Sequence, residues 1–400
     1  MTAYPSWTPA PRPGIVPLHP LPFGTILGRS FASLRRNPRV LLGFGVTVQA
    51  VAFLILILAT GGVSWAAFSR LATVPIGSDD YETVLAGSVA ITIIVGLVFT
   101  IAATALTVVV QGVVVADVAH GVVAEKLGLR ALWQRVRPAI WRLLGYTLLT
   151  TLAVLVVLGV VGGGIALIGF SLSGPLGIGV AVVLTLLAAL ALIPLSLWLS
   201  TKLCLVPAVL VLEHATVFGA ITRSWRLVRG RFWAALGVIV IVQAAFSVIA
   251  QVVSVPFSLL SSILPAVLAP TGDPDVATVI AALGGSVLAQ AVTLLVQAVA
   301  VIVLATATTL LYVDARMRKE GLDLDLSSYV EQRQAGAGAA DPYSWHIGHD
   351  RAPTAAPSWP APPAPTAVVP TPPAPPAPAP PAGDVAPPEP TRWAPPGGSV

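Results

Sequence analysis

The chain has 400 residues, of which 56% are hydrophobic and 10% charged, with a formal net charge of +5 and a mean hydropathy of +0.88. Soluble domains carry about a quarter charged residues, so this composition excludes an ordinary water-soluble fold, and the lone Cys204 excludes an intrachain disulfide or a cysteine metal cluster. The basic excess is placed at the ends of apolar blocks, where it suits anionic lipid headgroups and not nucleic acid.

Residues 1–22 are polar and Pro-rich and lack a short apolar core ahead of a small-residue cleavage site. They are expected to form a disordered cytoplasmic segment, not a secretory signal peptide. Next, Leu27, Phe31 and Leu34 recur at helical spacing on a segment that also carries Arg29, Arg35 and Arg36, until Pro38 interrupts it. Crossing a ~30 Å hydrocarbon core takes ~20 apolar residues, and six blocks qualify: about 40–62, 84–116, 143–170, 176–200, 234–260 and 279–313. The second block would reach ~50 Å as one helix and must tilt or project past the bilayer. A second amphipathic stretch, Leu132, Val136 and Ile140 with Arg137 and Pro138, precedes the third block, and Ser171–Pro175 divides the third block from the fourth. Phe218, Ile221, Trp225 and Val228 form a third such face ahead of the fifth block, alongside Arg223, Arg226 and Arg229. Residues 332–400 are mostly Pro and Ala and cannot bury enough apolar surface to fold, so a disordered tail is expected. It can recruit a cytoplasmic protein that reads proline or act as a plain spacer. Within it, His346-Ile347-Gly348-His349-Asp350 has nothing to hold a metal-binding geometry.

Every Lys and Arg except Arg70 lies before the first block, between the second and third, between the fourth and fifth, or after the sixth. The opposite loops carry Asp79, Asp80, Glu82, Asp273 and Asp275. By the positive-inside rule both termini are cytoplasmic, in the cell membrane, and Trp133, Trp141, Trp198, Trp225 and Trp233 fall at the same headgroup level. The basic stretches also repeat. Arg29-Ser30-Phe31 recurs as Arg223-Ser224-Trp225, Leu42-Gly43 as Leu236-Gly237, and Gln49-Ala50 as Gln243-Ala244, with Arg137 and Leu144-Gly145 as a fainter middle copy. The expected fold is therefore an all-α polytopic membrane helix bundle, its six transmembrane helices arranged as three hairpins, each preceded by an amphipathic interface helix.

Candidate lipid-headgroup contacts are Arg29, Arg35, Arg36, Arg137, Arg223, Arg226, Arg229, Arg316 and Arg318. Gln49, Gln111, Gln243, Gln251, Gln290 and Gln297 form a candidate intramembrane polar face, and Thr100, Thr104 and Thr107 form a stripe. These suit either a solute or lipid pathway or interhelical hydrogen bonds worth ~0.6–2 kcal/mol. With no Asp, Glu, Lys or Arg at mid-span, the second reading is favoured. Asp117 and Asp314 end the second and sixth blocks, where salt bridges are expected, while His120 and His214 stand singly. Gly162-Gly163-Gly164 reads as a close helix-packing site. No nucleophile triad, paired carboxylates, metal cluster or cofactor motif can be assembled, so no cofactor is expected. The leading expectation is a non-enzymatic scaffold or accessory protein with anionic membrane lipids as partners. A transporter or flippase-like protein using the Gln and Thr faces is the alternative. A lipid-modifying enzyme is a more distant one, and it would need Asp117, Asp314 and His120 to converge.

Several stretches together resemble the bacterial glycerophosphoryl diester phosphodiesterase membrane domain family in its actinobacterial form. They are Arg12-Pro13-Gly14-Ile15-Val16-Pro17-Leu18, Leu34-Arg35-Arg36-Asn37-Pro38, Arg223-Ser224-Trp225-Arg226-Leu227-Val228-Arg229-Gly230 with Phe232-Trp233, and Leu311-Tyr312-Val313-Asp314-Ala315-Arg316-Met317-Arg318 followed by Glu320-Gly321-Leu322-Asp323. The likeness covers about Pro11 to Leu326. It implies a membrane module without the catalytic phosphodiesterase domain and supplies no catalytic residue.

Overall fold

A computed structural model describes residues 21–75, 77–172, 174–268, 276–336 and 341–349. Among these residues every regular element is helical. Six helices are long and apolar enough to cross a membrane, which makes the chain a polytopic membrane bundle.

The elements follow the expected threefold plan. Helix α1 (Phe23–Arg36) stops where Asn37 leaves helical geometry ahead of Pro38, and a π-helical turn at Arg39–Phe44 leads into α2 (Gly45–Phe68). The return arm, α3 (Asp79–Val122), starts at Ser78, whose hydroxyl accepts from the Tyr81 amide. The second unit comprises α4 (Leu129–Val136), a 3₁₀ turn containing Pro138, α5 (Ile140–Ser171) and α6 (Gly174–Leu203). The third comprises α8 (Val217–Val228), α9 (Phe232–Leu268) and α10 (Val276–Glu320). Of the expected apolar faces, Leu132 and Val136 on α4 and Val228 on α8 are buried, whereas Phe31 on α1 and Phe218 and Trp225 on α8 are exposed; on α1 and α8 burial falls instead on Ile26 and Leu227.

Helices α3 and α10 run past the expected apolar blocks to Val122 and Glu320, and the charged residues there, Asp117, Arg316 and Glu320, find partners within the protein. Two further helices were not expected. The first is α7 (Val206–Leu212), a short apolar helix after a break at Cys204–Leu205, buried between α3 and α8. The second is α11 (Leu322–Gln334), which turns off α10 at Gly321, whose φ of +65° suits a residue without a Cβ. It returns Leu322, Leu326 and Tyr329 to the core.

Burial is uneven along the bundle axis. The buried apolar residues concentrate toward the basic end, including Val113–Val123 on α3, all but one residue of α7, and Ile302–Met317 on α10. In the most apolar stretch of α5 no residue is buried. The α5–α6 hairpin is instead held near its turn, where a Cβ on Gly177 would collide with the Gly169 carbonyl oxygen. Gly162, Gly163 and Gly164 do not pack: a Cβ on any of them meets nothing within 4 Å. The expectation of a close contact there is corrected, since that face of α5 is turned away from the bundle.

Two boundaries also move. Leu21 belongs to the fold, fully buried with its amide donating to Asp314 Oδ1 at 2.8 Å, although a disordered segment was expected through residue 22. The tail expected from residue 332 instead begins with the end of α11 and a strap, residues 341–349, that packs on the bundle. Residues 1–20 and 350–400 lie outside the described residues.

Candidate functional site

Buried ion pairs organise the basic end. Arg223, from α8, directs Nε and Nη2 at Glu213 (2.9 and 3.0 Å) and Nη2 also at Glu320 (2.8 Å). Arg316, one turn before Glu320 on α10, donates Nε to that same carboxylate at 2.8 Å and Nη1 to the Tyr312 hydroxyl at 3.1 Å. Tyr312 in turn donates to Glu213 at 2.8 Å. Two guanidinium groups therefore face two carboxylates, so the buried charges cancel and the network escapes the cost of an unpaired buried ion. Burial works against the charge on Arg223, but the bonds to Glu320 and Glu213 outweigh it and hold its pKa above the ordinary arginine value. This overturns two expected headgroup contacts. Arg223 is 6% exposed and Arg316 is fully buried, both spent on carboxylates instead of on headgroups.

The strap completes this network. Arg316 donates Nη1 to the Tyr343 carbonyl (2.8 Å) and Nη2 to the Trp345 carbonyl (2.9 Å). Tyr343 is buried and donates its hydroxyl to the Ala119 carbonyl at 2.7 Å. Burial pushes that phenol well above its usual pKa, so it remains a donor. His346, held in a left-handed backbone conformation, sits 3.1 Å from Asp325 on α11. The histidine pair expected to have no fixed geometry is thus partly held. Tyr329 meanwhile donates to Glu125 at 2.8 Å; burial, then the neighbouring Glu125 charge, raises its pKa.

Beside the strap lies a polar cavity of about 230 Å³ lined by His120, Gln134, Arg135, His214 and Asp341. His120 donates Nδ1–H to the Ala116 carbonyl, which leaves Nε2 to accept from Arg135, and Arg135 also pairs with Asp341 at 3.3 Å. Neither Asp117 nor Asp314 lines this cavity. Asp117 accepts from Asn37 Nδ2, whereas Asp314 serves the Leu21 amide, Arg318 and Arg231. The convergence that a lipid-modifying centre would require is not formed, while Asp314 makes the expected salt bridges, to Arg318 and Arg231. No group of three or more His, Cys, Asp or Glu residues could hold a metal ion among the described residues.

The remaining basic candidates do face outward. Arg29, Arg137, Arg226 and Arg229 are exposed, and Arg318 is half-exposed beside Asp314 at 2.9 Å. The side chains of Arg35 and Arg36 lie outside what the structure describes. Trp141 and Trp233 are also exposed at this end, where an indole ring suits the headgroup layer.

Within the span region a cleft of about 800 Å³ opens between the α5–α6 hairpin and helices α3, α8, α9 and α10. Its walls are apolar, with Leu149, Ala153, Leu199 and Leu203 among them. Its aliphatic hydroxyls are already committed, because Thr150, Ser196, Ser200 and Thr308 all donate to carbonyls of their own helices, while the Tyr146 phenol also lines it. Two of the six expected glutamines, Gln111 and Gln243, line the cleft. Gln49 is buried elsewhere with Nε2 unpaired, and Gln251, Gln290 and Gln297 are exposed on other faces. The six therefore do not form one polar face. The threonine stripe differs from expectation as well: Thr104 and Thr107 donate to Thr100 and Ala103 carbonyls within α3 instead of to a neighbouring helix.

A family profile described as a domain of unknown function, DUF7847, matches residues 21–315. The chain belongs to the DUF7847 family. The matched region begins at Leu21 and ends one residue past Asp314, the pair joined by the amide–carboxylate bond described above. DUF7847 thus takes in all three interface helices and five complete spanning helices, with α10 up to Ala315. Glu320, α11 and the strap lie beyond it. No curated protein and no solved structure matches the chain.

Proposed function

We propose that this DUF7847 protein is a non-enzymatic accessory module of the cell membrane that seats a lipid in the lateral cleft, with its basic end and both termini on the cytoplasmic side. The observation that carries this reading is the cleft itself. A volume of about 800 Å³ is within the ~300–1,000 Å³ range of ligand pockets, and its walls offer apolar surface with the serine and threonine donors already spent on their own helices. That suits a hydrocarbon chain better than a hydrated solute. The exposed Arg29, Arg137, Arg226 and Arg229 add a surface favourable to anionic headgroups.

Ala153 is exposed and lines the cleft, so a bulky side chain there fills the space without entering the packed core. Ala153→Trp should strip co-purifying lipid from the protein, as read by native mass spectrometry, while leaving its thermal unfolding unchanged. Undiminished lipid in that variant would count against the proposal. A second reading, lipid translocation, rests on Gln111 and Gln243 sharing the cleft. Protein-dependent exchange of a fluorescent lipid across vesicles, abolished by Gln111→Leu with Gln243→Leu, would favour it instead.

A further inference from the structure

The cleft has a chemically distinct end. There α6 closes with Ser200, Lys202 and Leu203, and α8 lays Trp225 against it. Trp198 and Trp225 meet edge to face with centroids 5.3 Å apart. The Lys202 ammonium lies 5.4 Å from the ring centroids of both Trp225 and Phe232. The Ser224 hydroxyl donates to the Lys202 carbonyl at 2.6 Å, which ties α8 to the end of α6 and fixes the backbone that carries the cation.

Lys202 differs from the ion-paired arginines packed at this end, as does Arg142, which donates to the His214 carbonyl. Arg223, Arg231, Arg316 and Arg318 each have a carboxylate partner, whereas Lys202 has none among the described residues. Two aromatic faces position its charge without neutralising it, since a cation–π contact is worth only ~0.5–2 kcal/mol. Lys202 is not itself a lining residue, but Leu203 beside it in the chain, Ser200 and its aromatic partner Trp225 all line the cleft. An uncompensated ammonium at the interfacial end of an apolar cleft matches an amphiphile whose chain lies in the cleft and whose negative charge ends beside the lysine. We infer that the cleft selects lipids with an anionic phosphate headgroup, and that Lys202, held by Trp225 and Phe232, reads that charge. This inference rests on the cleft being a lipid site; it adds which lipid is taken and which residue chooses it.

The full-length protein is reconstituted in nanodiscs of equal parts phosphatidylglycerol and phosphatidylcholine, and the lipid that survives detergent exchange is quantified by class. The wild type should retain phosphatidylglycerol in excess. Lys202→Gln should lower that excess by about fivefold, the factor equivalent to the ~1 kcal/mol of one basic side chain at an anionic surface, while Lys202→Arg keeps most of it. Arg130→Gln, on the exposed side of α4, controls for the general basic field and should leave the ratio unchanged. Ala153→Trp should remove both lipid classes. An unchanged ratio in Lys202→Gln, or an equal drop in Arg130→Gln, overturns the role of Lys202 even if Ala153→Trp empties the cleft. If Ala153→Trp empties nothing, the cleft reading itself fails, whatever Lys202 does.

Discussion

Arg223 shows how much a single side chain can carry. It is nearly buried between Glu213 and Glu320, so its loss leaves two buried carboxylates with one guanidinium, Arg316, and Glu213 with no ion-pair partner among those described. Breaking a buried pair from one side costs about 3–5 kcal/mol, whereas an exposed surface change costs about 0.5 kcal/mol or less. Arg223→Ala should therefore lower the unfolding midpoint markedly in detergent, and Arg226→Ala, one turn face away and exposed, should barely move it. Equal behaviour of the two variants would contradict the buried network. In the sequence these arginines look alike, because positive charge at the end of an apolar block predicts a headgroup contact for both. What separates them is the position of Glu213 ten residues upstream and Glu320 on a different helix. The local i,i+4 spacing of Arg316 and Glu320 was visible in the sequence. The pairing of Arg223 with Glu320 depends on how α8 docks against α10 and was not. Lys202 belongs to the same class: its lack of a carboxylate partner can be seen only once every neighbouring helix is in place.

At the scale of elements, the six spans and three interface helices were legible because each writes its period into a continuous stretch of chain. Apolar runs of more than 20 residues, bounded by turn residues and arginine, leave few alternatives. The elements that escaped are those whose composition suggested something else. Helix α7 is apolar but too short to span, and α11 is polar, so neither carried a spanning signal. The strap was hidden by its neighbours, since it opens a segment dominated by Pro and Ala. Its importance comes from contacts: two carbonyls for Arg316, the buried Tyr343, and Asp325 facing His346. Bonds to a charged group contribute about 1.5–3 kcal/mol each when their loss leaves it unsatisfied. A chain ending after residue 353 should thus unfold at the wild-type temperature, and one ending after residue 336 should unfold several degrees lower. Identical thermal curves for the two truncations would show that the strap contributes nothing to the fold.

For the molecule as a whole, the charge asymmetry makes the most direct prediction. Ser69 lies at the acidic end and Ala335 at the basic end, and both are exposed. In a background lacking Cys204, a membrane-impermeant maleimide should label Ser69→Cys in intact cells, but Ala335→Cys only after permeabilisation. The reverse pattern would invert the proposed orientation. The same axis divides the fold energetically. At the basic end the helices meet through buried Val, Leu and Ala and a neutralised ion network, whereas the far half of α5 buries nothing in its most apolar stretch. A helix surface that touches only lipid tails gains nothing from shape complementarity, because hydrocarbon chains accept any apolar side chain equally. The two leaflets therefore impose different rules on the gene. Away from the Gly169–Gly177 contact, substitution in the far halves of α5 and α6 is free to drift among Leu, Ile, Val and Ala. In the basic half, a change as small as a methyl at Gly112, which would meet Leu143 at 3.0 Å and Val136 at 3.2 Å, requires a neighbour to give way.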